Sequence, residues 1–175
     1  MNVLIIKVDY IDPEKWPVLG APYKVNPEGS RSIITEVAHT ATSSGIILLV
    51  GSQSPRTKHS LKIKLLGAVQ CHMALFETRK VVAPELVNSP HFTRRDGAFR
   101  MPYCIPYSKI WNCRRPLSRA SSACGNELVD PNDRRKWLIQ LSDHQAQRAL
   151  EILEQETTNT KELPLPTHGF IQKLD

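Results

Sequence analysis

Two short apolar runs, Val3-Leu4-Ile5-Ile6-Lys7-Val8 and Gly45-Ile46-Ile47-Leu48-Leu49-Val50, constrain this chain more than anything else in it. Both are rich in β-branched residues, short and bounded by polar sequence, so each reads as a buried strand. Neither approaches the roughly 20 apolar residues needed to cross a bilayer. The first run is also too short for a secretory leader, with Lys7 and Asp9 closing it, so the expected setting is cytoplasmic with no membrane partner. Thirteen prolines against eight glycines point to many loops and few long helices.

Between and after these strands the pattern alternates. Ser32 to Thr42 places Ile33, Ile34, Val37, Ala38 and Ala41 at helical spacing, with Ser30 or Ser32 as the cap. Gly51 to Lys58 is a polar loop, and Leu61 to His72 returns as a strand antiparallel to the second run. Glu77 to Pro102 is irregular. Further strands are expected in Tyr103 to Cys113 and Trp137 to Leu141. Ser142-Asp143-His144-Gln145 is a capping box opening a helix whose stripe is Ala146, Ala149, Leu150 and Leu153. Residues 1–155 are read as one domain and 156–175 as a flexible, Pro-containing tail. The order gives an α+β fold with flanking helices around a small, strongly bent mixed sheet or a pseudo-barrel, since no regular β-α-β alternation runs through the chain.

Catalytic signatures are sparse. Gly51-Ser52-Gln53-Ser54-Pro55 begins like a nucleophile elbow but has Pro where the second Gly belongs. There is no P-loop, no G-x-G-x-x-G and no H-E-x-x-H. The six histidines are dispersed, and Asp9, Asp12 and Glu14 show no convergence of the kind a metal-dependent nuclease needs. Cys71, Cys104, Cys113 and Cys124 form no C-x-x-C pair and read as reduced thiols; a zinc site with His72 is the weaker reading. No cofactor is expected.

The net charge of +6 is unevenly distributed. Arg56, Lys58, Lys62 and Lys64 form one group with no acid between them. Arg94, Arg95, Arg100, Lys109, Arg114, Arg115 and Arg119 form another, interrupted only by Asp96. Acids gather instead in the last helix and tail, at Glu151, Glu154, Glu156 and Glu162. One-sided positive charge suits a phosphate backbone, while a solvated strand face with edge lysines is the plainer account. Trp16, Tyr103, Tyr107 and Trp111 lie near these groups, where aromatic faces could stack on bases or simply fill a core.

Three segments in order resemble the PUA-like superfamily, within it the EVE and YTH-like domains. They are the strand Val3–Val8 with Trp16 in the loop after it, Gly45–Ser52 followed by Leu66-Gly67-Ala68-Val69-Gln70, and Tyr103-Cys104-Ile105-Pro106-Tyr107 running on to Arg115-Pro116-Leu117-Ser118. The chain departs from the pattern at Ser44-Gly45, where the family often has Gly-Asp, and in the Pro-rich insert from Glu77 to Pro102. The resemblance implies a pseudo-barrel that holds a flipped, often modified base of DNA or RNA. It implies a base pocket of Trp16, Ser52, Gln53 and Ser54, and phosphate contacts from Arg56, Lys58, Arg100, Arg114 and Arg115. It also implies a separate nuclease subunit as a partner, since bacterial versions are linked to modification-dependent restriction. A non-enzymatic nucleic-acid-binding domain is therefore the leading expectation. A small nuclease or base-modifying enzyme, and a protein-interaction accessory module, are the alternatives.

Overall fold

The computed structural model describes residues 2–9, 12–113 and 138–174. The chain folds into two compact units, each assembled from separated segments. The first comprises residues 2–9, 44–70, 109–113 and 138–162; the second comprises 12–43, 71–108 and 163–174. Both mix strands and helices, and the fold is α+β.

The first unit is a mixed sheet. Strand β1 (Val3–Val8) lies parallel to β3 (Ile46–Gly51), in a register that runs from Val3 opposite Ile46 to Val8 opposite Gly51. The long connection between them lets β3 return in the same direction, which a tight hairpin could not do. β4 (Leu65–Cys71) runs antiparallel to β3, with a register shift at Leu49/Val50. β7 (Leu138–Gln140) borders β1 on its other side, Ile5 standing opposite Ile139. Residues 109–113 of β6 (Tyr103–Cys113) lie beside β4, and β8 (Thr157–Glu162) pairs with them. Among the described residues the sheet ends at β7 and β8, so in this unit it is open rather than closed as a barrel.

β3 is buried along its whole length and β1 from Val3 to Ile6, which is why these stretches read as apolar runs rather than alternating ones; Lys7 and Val8 at the end of β1 are half-buried. One face is covered by helix α4 (Asp143–Glu156), whose Ala146, Ala149 and Leu153 join Val3, Ile5, Ile46, Leu48, Val50 and Leu65 in one cluster. The helix starts where expected. The Ser142 backbone N–H donates to Gln145 Oε1 at 3.0 Å and the Gln145 N–H donates to Ser142 Oγ at 3.4 Å, both halves of a capping box.

In the second unit β2 (Val18–Gly20) and β5 (Ala74–Glu77) pair with residues 103–106 of β6, and β9 (Phe170–Lys173) pairs with β5. Helix α1 (Glu28–Ala41) begins a turn before the expected Ser32. Neither candidate serine caps it. Ser30 is buried and donates to the Ala21 carbonyl at 2.6 Å, and Ser32 donates back to the Glu28 carbonyl. Asn26 Oδ1 instead accepts the Glu28 N–H at 3.0 Å. The irregular stretch from Glu77 to Pro102 holds two one-turn helices, α2 (Thr78–Val81) and α3 (Pro84–Val87), and a tight reversal closed by a Thr93–Phe99 bridge. Phe76, Val82, Val87, Phe92 and Phe99 pack together as its core.

Residues expected to form a flexible tail supply β8 and β9. β8 is polar throughout, so its pairing comes from the backbone ladder and left no apolar alternation to read. β9 is held by Phe170, edge-on to Phe76 at 5.8 Å, by the Leu174 N–H donating to the Met73 carbonyl at 3.0 Å, and by a hydrogen bond from Arg31 to Gln172. No helix among the described residues is long and apolar enough to cross a membrane.

Gly51 ends β3 at a place with no room for a side chain. Its N–H donates to the Lys64 carbonyl at 3.0 Å, and its own carbonyl accepts the Ile63 N–H at 2.8 Å. A Cβ there would overlap the Leu61 carbonyl group, which is backbone and cannot swing away. Gly51→Ala should therefore cost about 1–3 kcal/mol of stability, read as a lower urea midpoint at unchanged slope.

Candidate functional site

The ends of β1 and β3 stand side by side because Val8 is opposite Gly51. The next residues, Asp9 and Ser52, are therefore neighbours. The Ser52 N–H extends the ladder by donating to the Val8 carbonyl at 2.8 Å. Its hydroxyl donates to Asp9 Oδ1 at 2.7 Å and lies 2.7 Å from Thr57 Oγ1, which reaches the same carboxylate oxygen at 3.3 Å. Thr57 is only 5% exposed, so the loop after β3 is folded down onto this carboxylate. Hydrogen bonds to a charged acceptor are roughly twice as strong as neutral ones, which makes Asp9 an effective anchor.

Hydroxyls also shape the loop itself. Ser52 Oγ accepts the Ser54 N–H at 3.3 Å, Ser54 Oγ accepts the Arg56 N–H at 3.2 Å, and the Ser54 carbonyl accepts the Thr57 N–H at 3.0 Å. A single turn of 3-10 helix follows at His59–Leu61. Arg56 and Lys58 are exposed, and Lys62 and Lys64 are half-buried. None of the four has a carboxylate ion-pair partner among the described residues. No Asp or Glu occurs in the sequence from residue 37 to residue 76, and Asp9 meets this loop from outside that span.

The structure thus brings Ser52, Gln53, Ser54, Arg56 and Lys58 into one loop of the first unit. Trp16 and Arg100 belong to the second unit and are both buried there. Trp16 is 6% exposed and lies flat on Phe92, ring centroids 4.1 Å apart and planes 6° apart. Arg100 is also 6% exposed and donates from Nη1 to the His91 carbonyl at 2.8 Å. Arg114 and Arg115 lie outside the described residues, as do Cys124, Trp137 and Arg119.

In the second unit Arg94 and Arg100 are taken up by backbone carbonyls. Arg94 donates to the Tyr23 and Lys24 carbonyls, sits over the Tyr23 ring at 4.3 Å and pairs with Asp96 at 3.3 Å. The Asp96 carboxyl is held below its ordinary range, first by the Ala98 N–H and then by Arg94. Lys109 rests its ammonium 4.7 Å over the Trp111 ring. Arg95 is exposed at the tip of the reversal. Two residues that matter to the loop, Thr57 and Ile63, carry no motif. Thr57 was hidden among other hydroxyls, and Ile63 reads as an ordinary strand position between two lysines.

The described thiols are buried or half-buried. Burial pushes Cys71 far up, with Cys104 adding to the shift, while burial raises Cys104 to about 12 and Cys113 to about 11. Among the described residues no three His, Cys, Asp or Glu side chains converge as a metal site would require.

No family model matches the chain, and no curated protein matches it. Among solved structures it is similar to the YTH domain of the Zygosaccharomyces rouxii MRB1 protein, solved in complex with N6-methyladenosine RNA. That similarity has a TM-score of 0.40 and 13% identity, over 94% of this chain and 89% of the other.

Two outcomes follow from the buried groups. Trp16→Ala removes a large side chain from a closed stack and should cost about 3–5 kcal/mol in chemical denaturation. The raised thiols make a neutral cysteine part of the folded state. Stability is complete below about pH 9, where the unfolded thiol also stays protonated, and declines as pH rises toward 11 for Cys113 and 12 for Cys104. A urea-midpoint series across that range should fall less steeply in Cys104→Ala than in the parent.

Proposed function

We propose that this chain binds nucleic acid through the loop between β3 and β4, gripping phosphates with Arg56, Lys58, Lys62 and Lys64. The observation that carries the reading is four cations within the nine residues from Arg56 to Lys64, without a carboxylate partner among the described residues, on a loop whose backbone is fastened at both ends. A loop held in shape loses less conformational freedom on binding than a free one. It also leaves the carboxyl ends of two parallel strands, where polar residues that follow both strands meet.

Within this reading the four cations position the strand and carry no sequence information. Gln53, half-exposed at the middle of the hydroxyl-rich turn, carries an amide that can both donate to and accept from a base edge. Ser52 and Ser54 shape the turn that presents it. Recognition of a flipped or modified base is the finer form of the proposal and falls to Gln53.

Titration of labelled single-stranded RNA and DNA at two salt concentrations tests the reading. Affinity should fall steeply with salt, because each phosphate neutralised releases condensed counterions. Arg56→Ala with Lys58→Ala should weaken all sequences alike and flatten the log–log salt slope by about 1.4, two contacts at about 0.7 each on a single strand. Gln53→Ala should instead leave the slope unchanged and reduce discrimination between bases. Absence of binding at low salt would overturn the proposal.

A further inference from the structure

The return leg of the basic loop contains a conformation its sequence does not favour. Lys62 has φ −61° and ψ 131°, Ile63 has φ 59°, and the Lys64 N–H donates to the Leu61 carbonyl at 3.3 Å. Those are the angles and the closing bond of a type II turn, Leu61 to Lys64, whose third position normally demands glycine or asparagine. For a β-branched residue this left-handed backbone is a true outlier. Ile63 and Lys64 together stand against Gly51, which accepts from the first and donates to the second, the arrangement of a β-bulge with its left-handed residue at position one.

A glycine would make this turn without strain, but it would also leave it loose. Ile63 brings something glycine lacks: its side chain packs against the cluster of Val3, Leu48, Val50 and Leu65. The turn is thereby nailed to the core of its unit at its most strained residue. The residues on either side are Lys62 and Lys64, half-buried where Arg56 and Lys58 are exposed, so their stems lie along protein while their ammonium groups remain without a carboxylate partner among the described residues. Strained residues persist only where their surroundings over-determine them, and such places tend to be binding sites.

We propose that Ile63 is a positioning residue: its core-anchored, left-handed backbone fixes Lys62 and Lys64 as one two-cation phosphate site. This rests on the nucleic-acid reading above. Ile63 itself touches no phosphate; it decides whether the two lysines act together.

The test is a thermodynamic cycle on the full chain, using labelled oligouridylate across a salt series, with thermal melts to confirm folding. The proteins are the parent, Ile63→Gly, Lys62→Ala with Lys64→Ala, and the triple variant. The double-lysine variant should lose about 1.4 from the salt slope, as two single-strand contacts do. Ile63→Gly should lose a comparable amount with both lysines still present. The triple variant should bind no more weakly than the double, because Ile63 acts only through the two lysines that the double variant already lacks. Ile63→Asn, which tolerates the same φ but lacks the apolar anchor, should match Ile63→Gly, and it serves if the glycine variant does not fold. Ile63→Val should keep the parental slope. Parental binding by Ile63→Gly and Ile63→Asn, or losses that multiply in the triple variant, would overturn the role of Ile63 while leaving phosphate binding intact. A parent that does not bind at low salt would overturn both.

Discussion

The register of β1 against β3 governs the chemistry available to the first unit. β3 is buried along its whole length and β1 from Val3 to Ile6, with Lys7 half-buried near its end, so polar side chains gather where the two strands stop. Val8 opposite Gly51 makes them stop together. A slip of one residue would turn every side chain of one strand to the other face and move Ser52 away from Asp9. The carboxylate would then lose the two hydroxyls that satisfy it, and the loop after β3 would lose its anchor. The apolar pairing upstream and the polar constellation at the end are therefore one constraint seen at two places.

The far side of the same loop is set by space rather than charge. Gly51 admits the Leu61 carbonyl because it has no Cβ, and the chain must then turn sharply to enter β4. The strain of a left-handed Ile63 is of order 1–3 kcal/mol. Full burial of an isoleucine gains about 1.5–3 kcal/mol, and this one is only partly buried. The two effects are of similar size and opposite sign. Stability alone therefore does not choose isoleucine over glycine here, and the difference between them lies in how firmly the turn is held.

Where the sequence carried both an apolar pattern and a local signal, its reading matches the fold. The strands β1 and β3, and the start of α4 at the Ser142 capping box, are of this kind, because burial and capping write themselves into adjacent residues; β4 was expected from Leu61 but begins at Leu65, since Leu61 to Lys64 form a turn. Elements held by ladder bonds alone were not readable. β8 is polar because its Thr, Asn, Lys and Glu side chains need not face a core, and its partner lies far away in sequence. The start of α1 was misplaced because Asn26, outside the apolar pattern, supplies the cap. In the candidate site Ser52, Gln53, Ser54, Arg56 and Lys58 share one loop as their contiguity suggested. Asp9 could be connected to them only through the parallel register, which no single sequence displays, and Thr57 shares their loop without a motif to mark it. Trp16, picked out for its neighbourhood in sequence, spends one ring face on Phe92.

The fate of the basic residues follows from the chemistry of the two side chains rather than from their spacing. Arginine presents five donors in a planar fork and can serve several carbonyls at once. In a chain with many prolines and irregular turns, backbone carbonyls without ladder partners are common, and arginines are drawn to them. Arg94 serves two carbonyls, a carboxylate and a ring face, and Arg100 is buried on the His91 carbonyl. Lysine carries a strongly hydrated point charge that is costlier to enclose: in the group at Arg56–Lys64, Lys58 is exposed and Lys62 and Lys64 are no more than half-buried. A run of arginines in such a chain thus overstates the positive charge it offers to a ligand. The shorter group at Arg56–Lys64, mostly lysine and free of acids, understates it, and the net charge of the whole chain locates neither.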